Sequence, residues 1–139
     1  MLDRGMIPKV ALEAMNAVHY EEADLINELV DHLDAVAAGT LPADALDASL
    51  AGLIEHLRRH FDGEEERMET AGFPPYAVHK AEHDRVFAEA SHVEAAWRSS
   101  RDQNVLSVYL RQTLPTWMVR HIGTMDAVTA QFLAARGLK

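Results

Sequence analysis

The 139-residue chain contains no cysteine. Disulfides, thiolate metal sites and cysteine nucleophiles are thereby excluded. A chain of this kind suits a reducing compartment, and the cytoplasm is the expected location. Basic residues are also short, 13 Lys and Arg against 22 Asp and Glu, which leaves a net charge of −9. Nucleic acid and anionic membrane surfaces are therefore not expected partners, since both require basic patches. No run approaches 18 consecutive apolar residues, and the opening MLDRGMIPKVALEAM lacks an apolar stretch long enough for a signal peptide. Runs of β-branched residues are scarce too, which argues against a sheet.

What remains is a chain of one domain's length with 48% hydrophobic residues, enough to bury a core. Apolar positions recur at intervals of three and four, the helical period. The first helix is expected from about Lys9 or Asn16 to Ala38, with Leu25, Ile26, Leu29, Leu33 and Val36 as its apolar stripe. Gly39 suits the left-handed position after its end. Thr40 is the expected cap of a second helix, with Pro42 in its first turn, running through Leu46, Leu50, Leu53, Ile54 and Leu57 to about Thr70. AGFPPY breaks the chain. A third helix is expected from about Pro75 to Ser99, and a fourth from Gln103 to Arg136, capped by Ser100 or Asp102. Pro115 lies inside the fourth, where it should remove a backbone bond and kink the rod. Four long helices with short loops imply an all-α, up-down-up-down antiparallel four-helix bundle forming one domain over 1–139.

Histidine is plentiful, with 8 residues. His60 and Glu64 are four apart, as are His79 and His83, and residues so spaced share one helix face. His121 and Asp126 are five apart, about 140° around an ideal helix. Either the Asp crosses the site sideways or the helix is locally widened. His19 lies early on the first helix. In the up-down-up-down arrangement all seven groups fall near one end of the bundle. Buried together without a metal they would be very costly. With metal they are about what two octahedral first-row ions need if both carboxylates bridge. Gly63 and Gly123 stand beside these residues and allow a close neighbour, although Gly63 reads equally well as a tolerated surface glycine. His56 lies one turn before His60 and is expected to pack beside the site or support it. His32 and His92 are read as surface residues, and the EEER run at 64–67 as a solvated face after Glu64.

The ordered set His, His-x3-Glu, His-x3-His, His-x4-Asp resembles the hemerythrin family, its bacterial members in particular. It is carried here by His19, His60 and Glu64, His79 and His83, and His121 and Asp126. The stretches HFDGEEERM, GFPPYAVHKAEHD and WMVRHIGTMD carry the likeness too, which covers roughly residues 14–133. The resemblance implies two iron ions. His79, His83 and His121 would hold one, and His19 and His60 the other. Glu64, Asp126 and an oxo or hydroxo group would bridge them, and O2 would bind reversibly at the open position of the second. Zinc favours closed four-coordinate sites and manganese a carboxylate-richer one, so iron is the best match. Met15, Phe61, Met68 and Trp117, with Leu25, Leu57 and Met118, are candidates to wall the oxygen pocket, each equally readable as core. Three departures from many relatives stand out, one being Pro115, unusual six residues before a ligand. The arm before the first helix has no Trp, and Asn16 replaces an Asp three residues before His19, which should weaken outer support for that histidine.

The expected function is O2 storage, delivery or scavenging rather than catalysis. The chain has one Glu-x-x-His, Glu89 to His92, where carboxylate-rich diiron proteins use two. Neutral imidazoles also stabilise high-valent iron less well. The alternative is an oxygen or redox sensor acting on a partner protein. A peroxidase or nitric oxide-handling enzyme is the third reading, with no distal acid–base pair in view.

Overall fold

The computed structural model describes residues 1–138. Three rods come first: α1 (Glu13–Ala37), α2 (Ala45–Ala71) and α3 (Tyr76–Ser100). The fourth, α4, is a continuous rod over 103–135 interrupted by two π-helical turns, Tyr109–Thr113 and Ile122–Asp126. No strand occurs among the described residues. Successive rods pack side by side, and α4 returns to α1, closing the four-helix bundle anticipated from the periodicity.

The buried stripe of each helix explains both the bundle and its site. On α2 it reads Leu46, Leu50, Leu53, Leu57 and then changes character to His60, Glu64 and Met68. On α1 it begins with Met15, turns polar at His19 and Glu22, and becomes apolar again through Ala23, Ile26, Leu29 and Leu33. A large apolar core around Leu29, Leu50, Leu53, Trp97 and Leu110 fills one end. A small plug of Leu12, Met15, Ala130 and Leu133 closes the other. The polar layer lies between them, cut off from water on both sides.

The helix ends match the expected chemistry in part. Asp102 caps α4, accepting from the amides of Asn104 and Val105. Gly39 and Gly72 take the left-handed conformation after α1 and α2, at φ 77° and 66°. Thr40 does not cap α2, contrary to the sequence expectation. Its amide and hydroxyl both turn back to the carbonyl of Ala35, at 2.9 and 3.0 Å, and so finish α1. Position 39 must be left-handed for the chain to leave α1, and that reversal carries Thr40 back over the last turn. Pro42 therefore lies before α2, which begins at Ala45.

Pro115 is absorbed differently from the simple kink expected. It lies at the start of the segment Leu114–His121, straight after the first π turn, where the Leu114 amide reaches back five residues to Tyr109. Widening the preceding turn accommodates a ring that would otherwise clash with the carbonyl four residues earlier.

An N-terminal strap crosses the bundle ahead of α1. The side-chain amide of Asn27 both donates to and accepts from the Leu2 backbone, each at 2.9 Å. Asn16 does the same for Val10, at 2.9 and 3.0 Å. Between these clasps Pro8 lies against the second π turn. A Cβ on Gly123 would stand 3.4 Å from its Cγ, the close approach that a glycine there permits.

Candidate metal centre

All four rods contribute to the polar layer, and all seven residues singled out by spacing are buried in it. One donor atom each from Glu64, His79, His83, His121 and Asp126 lies within 4.8 Å of the others. His19, His60, Glu64 and Asp126 form a second group by the same measure. The two carboxylates belong to both.

Each carboxylate divides its oxygens between the groups. Glu64 Oε1 faces His83 Nε2 at 3.3 Å and His79 Nε2 at 3.6 Å, while its Oε2 faces His60 Nε2 at 2.8 Å and His19 Nε2 at 3.7 Å. Asp126 Oδ1 faces His79 and His121 at 3.1 and 3.2 Å, and its Oδ2 faces His19 at 3.0 Å. His79 and His121 bring their Nε2 atoms within 3.1 Å of each other. Neighbouring donors of an octahedral shell about 2.1 Å in radius stand about 3 Å apart, so these spacings suit two cations that share both carboxylates.

Five of the facing atoms have no hydrogen-bond partner: His19 Nε2, His83 Nε2, Glu64 Oε1 and both Asp126 oxygens. They approach one another closely but off the directions a hydrogen bond needs. An unsatisfied buried polar atom costs about 1–3 kcal/mol, so native cores rarely keep one, let alone five together. A set of bare donors converging in a dry layer is what a cation site offers.

The second π turn brings Asp126 into this set. The Ala127 amide reaches back five residues to Ile122, so the turn closes over five residues, not four. That returns the fifth position toward the face of His121. Of the two geometries left open by the five-residue spacing, local widening is the one adopted.

A profile for the hemerythrin HHE cation binding domain matches residues 10–133. The chain belongs to the hemerythrin family. It is 32% identical over 127 residues to a bacteriohemerythrin of Aquifex aeolicus, covering 91% of this chain and 93% of the relative. It is 34% identical over 124 residues to a bacteriohemerythrin of Ralstonia nicotianae, covering 89% and 82%, and 26% identical over 112 residues to one of Methylococcus capsulatus, covering 81% and 80%. No solved structure matches the chain.

Around the hemerythrin cluster a ring of outer partners fixes the imidazoles. Thr129 donates its hydroxyl proton to the Met125 carbonyl at 2.9 Å, so it accepts from His79 Nδ1–H, also at 2.9 Å. That leaves Nε2 as the nitrogen facing the layer. His83 Nδ1 donates to Glu65 at 2.9 Å and His60 Nδ1 to Glu22 at 2.8 Å, with the same consequence. His83 stacks on Phe61 with centroids 4.1 Å apart, and His121 on Trp117 at 4.5 Å. The Trp117 indole N–H donates to Glu82 at 2.8 Å, which holds that ring in place.

Charge is balanced inside the layer. Burial alone would depress the histidines, but the neighbouring carboxylates outweigh it. His60 is held well above its ordinary value by Glu22 and Glu64, and His79 is raised to about 9 by Asp126 and Glu64. Burial likewise works to raise Glu64 and Asp126, and the facing histidines hold both below the usual carboxylate range. For Glu22 the same contest ends at about 2, with His60 and His56 overcoming burial.

Several sequence expectations need adjusting. Asn16 bonds Val10 and Glu13 and so secures the strap, not His19. Glu65 is not part of a solvated face, since it accepts from His83 and lies 3.7 Å from Lys80. Gly63 has nothing within 4 Å of a Cβ position, so no close approach requires it. Of the residues considered for an oxygen pocket, Phe61 and Trp117 lie against imidazoles but line different cavities. Met15 belongs to the small plug, and Met68 lies beneath the Thr129 hydroxyl. His56 lies beside the cluster, bonded to Glu22 and Glu21, while His32 bonds Ser49. Glu22, Thr129, Glu65 and Glu82 escaped sequence reasoning. The only signal for the first two was their position one turn beyond His19 and Asp126.

Proposed function

We propose that this hemerythrin-family protein holds two iron ions and binds O2 reversibly, as a carrier, store or scavenger and not as a turnover enzyme. His79, His83 and His121 would serve one ion, His19 and His60 the other, with Glu64 and Asp126 bridging. The observation that carries this reading is the division of each carboxylate's oxygens between a three-histidine and a two-histidine set. Iron in such a site supplies the electrons that O2 takes up on binding and returns on release.

The residues of the chain do the rest. The two-histidine side has one imidazole fewer, so a cation there would keep a coordination position open for an exogenous ligand. The apolar core and plug exclude water from the layer, and Phe61 and Trp117 cover His83 and His121. A dry layer between apolar walls suits a small neutral ligand such as O2. The resemblance of the relatives called bacteriohemerythrins points the same way. The test is an anaerobic-to-aerobic optical titration with iron counting. Two irons per chain and a reversible oxygen-dependent visible band are expected. Fewer than two irons, or no such band, would defeat the proposal.

A further inference from the structure

The outer support of the two histidine sets is unequal. On the three-histidine side, His79 is held by a neutral hydroxyl, and His83 by Glu65, a partly exposed carboxylate that lies near Lys80. On the two-histidine side, His19 has no partner at Nδ1. The whole burden falls on one contact, from His60 Nδ1–H to Glu22 Oε1 at 2.8 Å. Glu22 is fully buried, and among the described residues its only other hydrogen-bond partner is His56, whose Nδ1 lies 3.3 Å from the same oxygen. Its second oxygen has no partner. His56 retains 13% side-chain exposure and meets Glu21 through its other nitrogen, so the contact reaches the surface.

We infer that Glu22 is the positioning residue of the two-histidine cation position: it locks His60 with Nε2 toward the layer and strengthens that nitrogen as a donor. The inference rests on the dinuclear reading above. A carboxylate behind a ligating imidazole draws the Nδ1 proton toward itself and raises the basicity of Nε2. Glu22 is fully buried and pairs with no lysine or arginine among the described residues, so it does this more strongly than Glu65, which lies near Lys80. The effect is confined to one cation position, the one with the fewer imidazoles. Glu22 therefore bears on both how tightly that cation is held and how far its oxidised form is favoured. His56 acts in the opposite sense, because its donation to Glu22 Oε1 draws charge away from His60.

The test is an anaerobic titration of the metal-free protein with ferrous iron, followed by the midpoint potential of the loaded form, on wild type, Glu22→Gln, Glu22→Ala and His56→Leu. Wild type should take two irons. Glu22→Ala should weaken one of the two binding steps by roughly 10–100-fold and leave the other unchanged. Glu22→Gln keeps the shape and an acceptor but not the charge, so its potential should move positive even where iron binding survives. His56→Leu, which lies outside the cluster, should move the potential negative. A purely structural role for Glu22 does not give shifts of opposite sign. Wild type with two irons, and variants with unchanged affinity and potential, would overturn the inference and leave the dinuclear reading standing. Wild type with fewer than two irons would remove that reading, and this inference with it.

Discussion

Removing the metal should cost this protein a large part of its stability, and the size follows from the orphaned atoms. Five polar atoms in the layer, His19 Nε2, His83 Nε2, Glu64 Oε1 and the two Asp126 oxygens, are buried without a hydrogen bond. At about 1–3 kcal/mol each, they sum to about 5–15 kcal/mol. That matches the entire net stability of an ordinary domain, about 5–15 kcal/mol. Part is recovered by attraction within the cluster, since His19 Nε2 lies 3.0 Å from Asp126 Oδ2. Halving the sum for that attraction leaves about 3–8 kcal/mol. For a domain of this size each kcal/mol shifts the melting temperature by about 3–4 °C, so the loaded protein should melt at least about 10 °C higher.

The assay is anaerobic calorimetry of stripped and ferrous-loaded protein at one pH and one free iron concentration, because ligand-linked stabilisation depends on that concentration. Melting temperatures within about 2 °C of each other, with iron shown to be bound, would refute the reasoning. The iron would then be held somewhere other than at the orphaned donors.

The remaining expectations concern the frame around the site. Gly63→Ala should stabilise the fold by about 0.5–1 kcal/mol and leave iron binding intact, since a Cβ there meets nothing within 4 Å; unfolding in urea reads the first and iron counting the second. Asp47, held at about 2 chiefly by Arg101 and also by the Trp97 indole N–H, contributes stability that is complete above its ordinary value and lost as pH falls through the depressed one. The stability gap between wild type and Asp47→Asn should therefore be constant above about pH 5 and close between about pH 4 and 2. Asn16→Leu should release Val10 and cost about 1–2 kcal/mol, seen as faster amide exchange at Val10 with the amides of Leu50 and Leu53 unchanged. Stripping the metal should speed exchange at the start of α1 and the end of α4 more than at Leu106 and Leu110; uniform acceleration along the rods would count against a cluster that pins one end.

The parts of the site readable in the sequence are those governed by helical period alone. His60 and Glu64, like His79 and His83, share a face because any α-helix places residues four apart together. The sequence order of the rods then puts them at one end of a bundle. Asp126 was only half readable, because the five-residue step has two geometric solutions and the choice belongs to the backbone around Ile122. Glu22 had no signal beyond its place one turn after His19. It follows another glutamate in YEEAD, and only the packing of α1 on α2 decides which of the two faces His60. Thr40 was misassigned for a related reason. Before Pro42 a threonine looks like an N-cap, and the left-handed Gly39 is what folds it back over α1 instead. The two glycines beside the site look alike in sequence, yet one lies under Pro8 and the other under nothing.

The placement of the polar layer shows why the bundle can carry it. Seven ionisable groups in one dry slice would be prohibitive at the centre of a small core, where every rod would lose its apolar contacts on both sides. Here the slice lies toward one end, so the stripes of Leu29, Leu50, Leu53, Trp97 and Leu110 assemble without it. Beyond it Leu12, Met15, Ala130 and Leu133 close the bundle, helped by the part of the strap that Asn16 clasps at Val10. Stability is thus concentrated at the end that needs no cation, and the donors are shared across four rods at the end that does. Cations held by the two donor groups, each drawn from three rods and together from all four, would replace the apolar contacts that a longer leucine stripe would have made. The desolvation that makes bare donors expensive is also what makes them bind a cation tightly, so the same burial accounts for both the weakness of that end when empty and its strength when filled.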